Sequence, residues 1–225
     1  QCTVEGYVYR GEVVLYGLID SINYPGTSSF FRYQYPSGLP NPVAQRMFGA
    51  SRRIMRHIGF DNGAFNIEYF YNHDTDSIKL LEINPRISQS HSELFQRVDG
   101  ASNHAIMVKL ALGRQPAFPH RQGRDAFAAK FHLRRFQDAV VNRVPTAADI
   151  DTLQQQIPGL EVDVIVRQGM RLSDLIEQDS YSYDMAHLYL GAASRQELLD
   201  RYRQVVERLP FEFSDGDNRL VIPDE

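Results

Sequence analysis

Two glutamates, Glu68 in FNIEYF and Glu82 in LLEINPR, stand in neighbouring runs of strand-forming residues and constrain this chain more than any other feature. Between the runs lies His73-Asp74-Thr75-Asp76, polar and turn-like, so the segment reads as a β-hairpin. If the loop closes evenly, Glu68 comes opposite or diagonal to Glu82, and Asn84, two residues on, shares that face. Phe65, Ile67, Tyr69 and Tyr71 then alternate onto the other face with Leu81 and Ile83. One face reads as core and the other as a site. Like charges facing each other across a ladder destabilise a sheet, so the pair calls for a cation, a shared proton or wide solvent exposure. Two carboxylates plus an amide oxygen make a hard oxygen donor set that suits Mg2+ or Mn2+ over zinc. The alternative is a half-exposed hairpin whose polar face carries Asn66, Glu68, Glu82 and Asn84 with no ligand role.

The end of the second run, Glu82-Ile83-Asn84-Pro85-Arg86, resembles the ATP-grasp superfamily, whose members phosphorylate a carboxylate with ATP and usually attack the acyl phosphate with an amine or other nucleophile. In that family a Glu on one strand, followed by E-x-N-x-R at the end of the next, supplies magnesium ligands and a phosphate-facing Arg. The resemblance therefore implies Glu68, Glu82 and Asn84 as metal ligands, Arg86 as the catalytic group, Mg2+ or Mn2+ as cofactor and ATP as co-substrate. Arg86 carries a planar, permanent charge suited to oxyanions; its alternative is an ion pair with a nearby carboxylate. Relatives place an apolar residue just before the second metal Glu, which is Leu81 here, so Leu81 and Phe70 are the ATP-binding candidates. Strict alternation instead sends Leu81 into the core.

The likeness continues through EINPRISQSHSELFQRVDGASNHAIMVKLALG, with a helix closed by Gly113; it is specific over residues 1–113 and weaker beyond. After Arg86, the stretch Ile87-Ser88-Gln89-Ser90-His91 is expected to face the acyl acceptor or the transferred phosphate. Biotin carboxylases carry a Gln and a catalytic Glu there; this chain has Ser88 and Ser90, although His91 agrees. That departure points away from biotin-type chemistry and towards the large chain of carbamoyl phosphate synthase, while the flanking lengths also resemble amino-acid and dipeptide ligases. His91, alone beside two serines at a helix start, reads as a capping or surface group outside the catalytic set.

Thr3 to Arg10 and Glu12 to Ile19 read as a hairpin around Arg10-Gly11. In the resemblance this hairpin belongs to the second half of the grasp, and the lobe bearing the phosphate-holding lysines and the adenine hinge is expected as a missing N-terminal partner in the same protein. The expected fold is α+β: residues 1–113 as the C-terminal part of an ATP-grasp domain, an antiparallel sheet with packed helices, and residues 114–225 as a small α+β lobe. With 225 residues, 43% of them hydrophobic, the chain can fill one large or two small cores. The net charge of −4 gives no call for nucleic acid or a membrane surface, and no apolar run approaches a membrane span. One cysteine, Cys2, excludes an internal disulfide framework and fits a reducing cytoplasm, with no signal peptide expected before the fold.

Ser21 to Pro40 shows no clear period and reads as a long loop, either a substrate-side flap or a surface loop held by its aromatics. Asn41-Pro42 should open a helix with Val43, Met47, Ala50, Ile54 and Ile58 as its apolar stripe, and Arg46, Arg52, Arg53 and Arg56 on a solvated side. Ala101 to Leu112 reads as a helix and Arg114 to Arg124 as a boundary. Beyond it, 126–133, 160–166 and 183–192 have strand character and 146–156 helix character, and Ser194 opens a capping box for a helix running to Leu209. Lys130, His132, Arg134 and Arg135 form a basic cluster expected on an interdomain or solvated face, and residues 214–225 an acidic, loosely ordered end. The implied function is that of a fragment of a carboxylate-amine ligase, joining an amino acid or similar small carboxylate to an amine acceptor. The alternatives are a bicarbonate- or carbamate-activating enzyme and a non-catalytic, grasp-derived binding module. A homo-oligomer stays open.

Overall fold

The computed structural model describes residues 1–176, 178, 179 and 182–223, in two compact units. The first comprises Gln1–Ser21 and Tyr33–Ala128, the second Ile22–Arg32 and Ala129–Glu225. Residues 114–128 thus group with the first unit and 22–32 with the second, whereas the division drawn from composition falls at 113/114.

In the first unit, β1 (Cys2–Tyr9) and β2 (Glu12–Asn23) form the expected hairpin. Its turn holds Arg10 and Gly11 at φ 51° and 78°, the left-handed pair that matches strand twist in a two-residue turn. Next come β3 (Phe30–Tyr35) and α1 (Asn41–His57). The presence of β3, and the extension of β2 to Asn23, correct the reading of 21–40 as a loop or flap. Phe31, Arg32, Gln34 and Tyr35 are all buried, so the strand has no polar face to betray it by alternation. At the start of α1, Pro40 takes the N-cap position, Asn41 is already helical, and Pro42 sits where its missing N–H costs nothing.

β4 (Gly63–Asn72) and β5 (Ser77–Asn84) complete the sheet of this unit, in the order β5-β4-β1-β2-β3. Val43, Met47 and Met55 of α1 pack with Val4, Val8, Phe65, Ile67 and Tyr69 on one sheet face. The other face meets α2 (Ser92–Asp99) and α3 (Asn103–Ala111): Phe95 and Val98 pack with Ile19 and Tyr35, and Ile106 and Leu110 with Tyr7 and Ala64. The run expected to lead into a helix closed by Gly113 therefore holds two helices. Gly100, at φ 90°, ends α2, and the Ser102 side chain caps α3. Gly6 is required by close approach: a Cβ there would lie 2.7 Å from both Leu15 Cδ2 and Phe65 Cζ.

The second unit holds β6 (Phe127–Arg135), β7 (Val141–Arg143), α4 (Ala147–Gln156), β8 (Glu161–Val164), β9 (Tyr183–Ala192), α5 (Arg195–Val206) and β10 (Glu212–Phe213). Strand order is β3-β6-β9-β8, and β7 pairs with β10. Its core includes Phe31, Phe131 and Tyr202, the last two stacked with centroids 4.3 Å apart. At α4, Thr146 and Asp149 form a reciprocal capping box. At α5 the Ser194 hydroxyl caps Glu197, but the Glu197 carboxylate returns to the amide of Ala193 rather than Ser194.

Of the two alternatives for the basic cluster, the solvated face is the one this unit rules out. Lys130, His132, Arg134 and Arg135 are buried, not solvated, because β6 is covered on both faces and its acidic partners come from distant sequence. The start of the acidic segment is held: Arg135 pairs with Asp215 and donates to the carbonyl of Asp217 at 2.7 Å. Asp224 and Glu225 lie outside the described residues. Among the described residues no helix is long and apolar enough to cross a membrane.

Candidate functional site

The site is built on the β4–β5 hairpin. Its loop is fixed locally: Thr75 N–H donates to Asn72 Oδ1 at 2.9 Å, and Asp76, at φ 47°, accepts from Arg46 of α1 at 2.7 Å. From the loop the register runs Asn72↔Ser77, Tyr71↔Ile78, Phe70↔Lys79 and Tyr69↔Leu80. Continued unchanged, it would pair Glu68 with Leu81 and Ile67 with Glu82, sending the two glutamates to opposite faces. It does not continue. The register shifts between Tyr69 and Glu68, Leu81 becomes the extra residue of a β-bulge, and Glu68 pairs directly with Glu82 and Asn66 with Asn84.

With β1 alongside, two polar rungs cross three strands on one face: Thr3, Glu68 and Glu82 on one, and Glu5, Asn66 and Asn84 on the next. Glu68 is half-buried and Glu82 exposed. Burial and then the adjoining Glu82 carboxylate hold the Glu68 carboxyl above its ordinary range. Gln1 Nε2 donates to Glu68 Oε2 at 2.5 Å. Asn84 Nδ2 donates to Glu82 Oε1 at 2.7 Å and to Asn66 Oδ1 at 3.0 Å, while Asn84 Oδ1 accepts from Arg86 Nη2 at 3.3 Å. Asn66 Nδ2 in turn donates to the backbone carbonyl of Arg86 at 3.1 Å. Arg86, exposed, also donates to the carbonyl of Ile87 at 3.2 Å.

Glu68, Glu82, Asn84 and Arg86 therefore stand together. Phe70 shares the Glu68 face by alternation and is 46% exposed. Leu81 is not core, as strict alternation requires, but the bulge residue, 45% exposed.

Sequence reasoning passed over Glu5 and misplaced His91. Glu5 is fully buried and accepts from His91 Nδ1 at 2.9 Å, Ser88 N–H at 3.2 Å and the Tyr16 hydroxyl at 2.9 Å. Tyr16 is the extra residue of a second bulge, between β1 and β2, which directs its hydroxyl to Glu5. His91 is buried and hydrogen-bonded to Glu5 rather than a surface cap, and it ties the segment after Arg86 to β1. The available signal was a lone Glu in the otherwise apolar run of β1, at the parity of Thr3 and Tyr7.

This is the fold of the ATP-grasp enzymes. Solved structures sharing it include phosphoribosylglycinamide synthetase from Anaerococcus prevotii, with TM-score 0.75 and 9% identity, covering 93% of this chain and 52% of that chain. Biotin carboxylase from Campylobacter jejuni, with TM-score 0.66 and 14% identity, covers 94% of this chain and 46% of that chain. More narrowly, residues 36–117 match the family described as carbamoyl-phosphate synthase L chain, ATP binding domain. A carbamoyl phosphate synthase large chain from Rhodopirellula baltica is 39% identical over 69 residues, 31% of this chain and 6% of the relative. That of Bifidobacterium adolescentis is 43% identical over 60 residues, 27% of this chain and 5% of the relative. The chain thus spans a small part of the length of these curated relatives. The likeness to that ATP binding domain is confined to residues 36–117.

Proposed function

We propose that this chain is the metal-bearing half of an ATP-dependent enzyme that activates a small carboxylate as an acyl phosphate and passes it to an amine. The observation that carries the reading is the direct Glu68↔Glu82 rung with Asn84 and Arg86 on the same run. The donor set suits a small hard cation: two carboxylates face each other across one rung, with an amide beside them. Asn84 presents Nδ2 to Glu82; turned over, the same amide would present Oδ1. When bound, Mg2+ or Mn2+ neutralises phosphate oxygens so that two anions can approach. The protein's own part is to hold Glu68 and Glu82 on one rung and to place the Arg86 guanidinium next to Asn84. There its fixed positive charge meets charge developing on the transferred phosphoryl group or the acyl phosphate. Phe70 and Leu81 offer exposed apolar surface for the nucleotide base. The remaining ATP contacts would come from a further lobe of the same protein.

A second reading, activation of bicarbonate or carbamate, is favoured by one observation, the match of residues 36–117 to the carbamoyl-phosphate synthase segment. Phosphate release from ATP by the full-length protein, across a panel of amino acids, other carboxylates and bicarbonate, separates the two. Amino-acid-dependent release supports the ligase, and bicarbonate-dependent release promotes the second reading. Glu82→Gln should lower either rate on the order of a hundredfold or more, as loss of a charge-stabilising contact at a transition state does. If no carboxylate stimulates turnover and Glu82→Gln changes nothing, the chain is a binding module and the catalytic reading falls.

A further inference from the structure

In the second unit, far in sequence from the glutamate pair, His132 on β6 and Asp184 and His187 on β9 offer one ligand atom each, all within 4.8 Å of one another. We propose that these three residues form a binding site for a divalent transition-metal ion, with Zn2+ the best fit to two imidazoles and one carboxylate. Water would complete a four-coordinate shell.

The geometry of Asp184 carries the inference. Its Oδ2 accepts from His132 Nδ1 at 2.7 Å, His187 Nε2 at 3.1 Å and Arg134 Nη2 at 3.2 Å. Its Oδ1 is buried and has no hydrogen-bond partner among the described residues. A buried acceptor left unmade is costly, and three donors crowded onto the other oxygen do not relieve it. An ion held between the two imidazoles and the carboxylate would take the place of the two N–H···Oδ2 bonds, each ring then carrying its proton on its other nitrogen. The outer groups also fit a metal centre, where ligating imidazoles and carboxylates are oriented by further hydrogen bonds and charges. His187 turns Nδ1 towards Asp163 Oδ2 at 3.9 Å, and Arg134 steadies Asp184 while its own charge is met by Asp179 at 2.9 Å. Lys130, on the same strand as His132, adds positive charge near the site and lies over the Tyr189 ring at 5.7 Å. Access is present, because His187 is 16% exposed while His132 and Asp184 are almost enclosed.

The test uses untagged protein, freed of metal with a chelator and titrated with Zn2+ in excess Mg2+, so that the Glu68–Glu82 pair is not counted. One equivalent of Zn2+ per chain should survive desalting and raise the melting temperature. Histidine-selective NMR of the unaltered protein should show the His132 and His187 ring resonances shifting together. Asp184→Asn and His187→Ala should lose stoichiometric uptake, Asp163→Asn should weaken affinity about tenfold, and Glu82→Gln should leave uptake intact. The proposal is overturned by non-saturable uptake, by ring resonances that do not move, or by stoichiometric binding that survives Asp184→Asn or disappears in Glu82→Gln. Because the NMR readout needs no substitution, a variant that fails to fold does not shield the proposal.

Discussion

Two strand pairs in this molecule gather charge, and they treat it in opposite ways. On β4–β5, Glu68 and Glu82 face each other as like charges, one half-buried and one exposed, with amides for neighbours. Around β6 and β9, Arg134 is buried and donates to Asp179, Asp184, Ser182 and the carbonyl of Phe30, so cation and anions are matched within the fold. Charge that the fold itself neutralises, as at Arg134, holds the structure together, while Asp184 beside it keeps one buried oxygen without a partner among the described residues. Charge that the fold leaves unbalanced on an accessible rung is a place for something from outside.

The comparison can be broken by substitution, and the largest stability effect should come from the matched cluster. Arg134→Met leaves Asp184 and Asp179 without their cation and should cost about 3–5 kcal/mol, read by urea denaturation with circular dichroism. A loss under about 1 kcal/mol would show that the cluster is solvated in practice and the contrast false. Gly6→Ala probes the scaffold beneath the glutamate face. A new Cβ 2.7 Å from Leu15 and Phe65 should overpack that layer by about 1–3 kcal/mol in the same assay. Thr146→Ala, which removes the capping hydroxyl of α4, should cost about 1 kcal/mol and leave phosphate release from ATP unchanged. The smallest stability effect belongs to Glu82→Gln. Removing one of two opposed carboxylates should shift stability by about 0.5 kcal/mol or less in metal-free buffer, in the stabilising direction if the repulsion across the rung is felt. A loss of several kcal/mol would make the pair structural.

Alkaline pH offers a separate check on burial. Burial pushes the Cys2 thiol from 9.0 to about 12 and the Tyr24 hydroxyl from 10.0 to about 12. Both pKa values are raised in the folded state. Their stabilising contribution is therefore fully present below pH 9 and should be lost as pH rises from there towards 12. Thiol reagents should label Cys2 slowly in the native protein and rapidly in urea.

Local chemistry along the chain determined a good deal. Arg10-Gly11 marked a turn, β9 was bounded by its alternation at Tyr183 and Ala192, Thr146 and Ser194 announced helix starts, and E-x-N-x-R gathered Glu82, Asn84 and Arg86 into one run. These signals survive because turn, cap and alternation each depend on a few adjacent residues. Tertiary structure decided the rest. Strands covered on both faces, β3 and the arginine-rich end of β6, lose the alternation that would reveal them, and the acids that neutralise Arg134 and Arg135 stand at least 45 residues away. Glu5 and His91 are 86 residues apart and meet only when β1 and the segment after Arg86 are packed together. The face on which Glu82 lies was also settled there. A strand has a period of two, so the single extra residue at Leu81 reverses every side chain beyond it, and only the bulge in the folded sheet brings Glu82 across from Glu68.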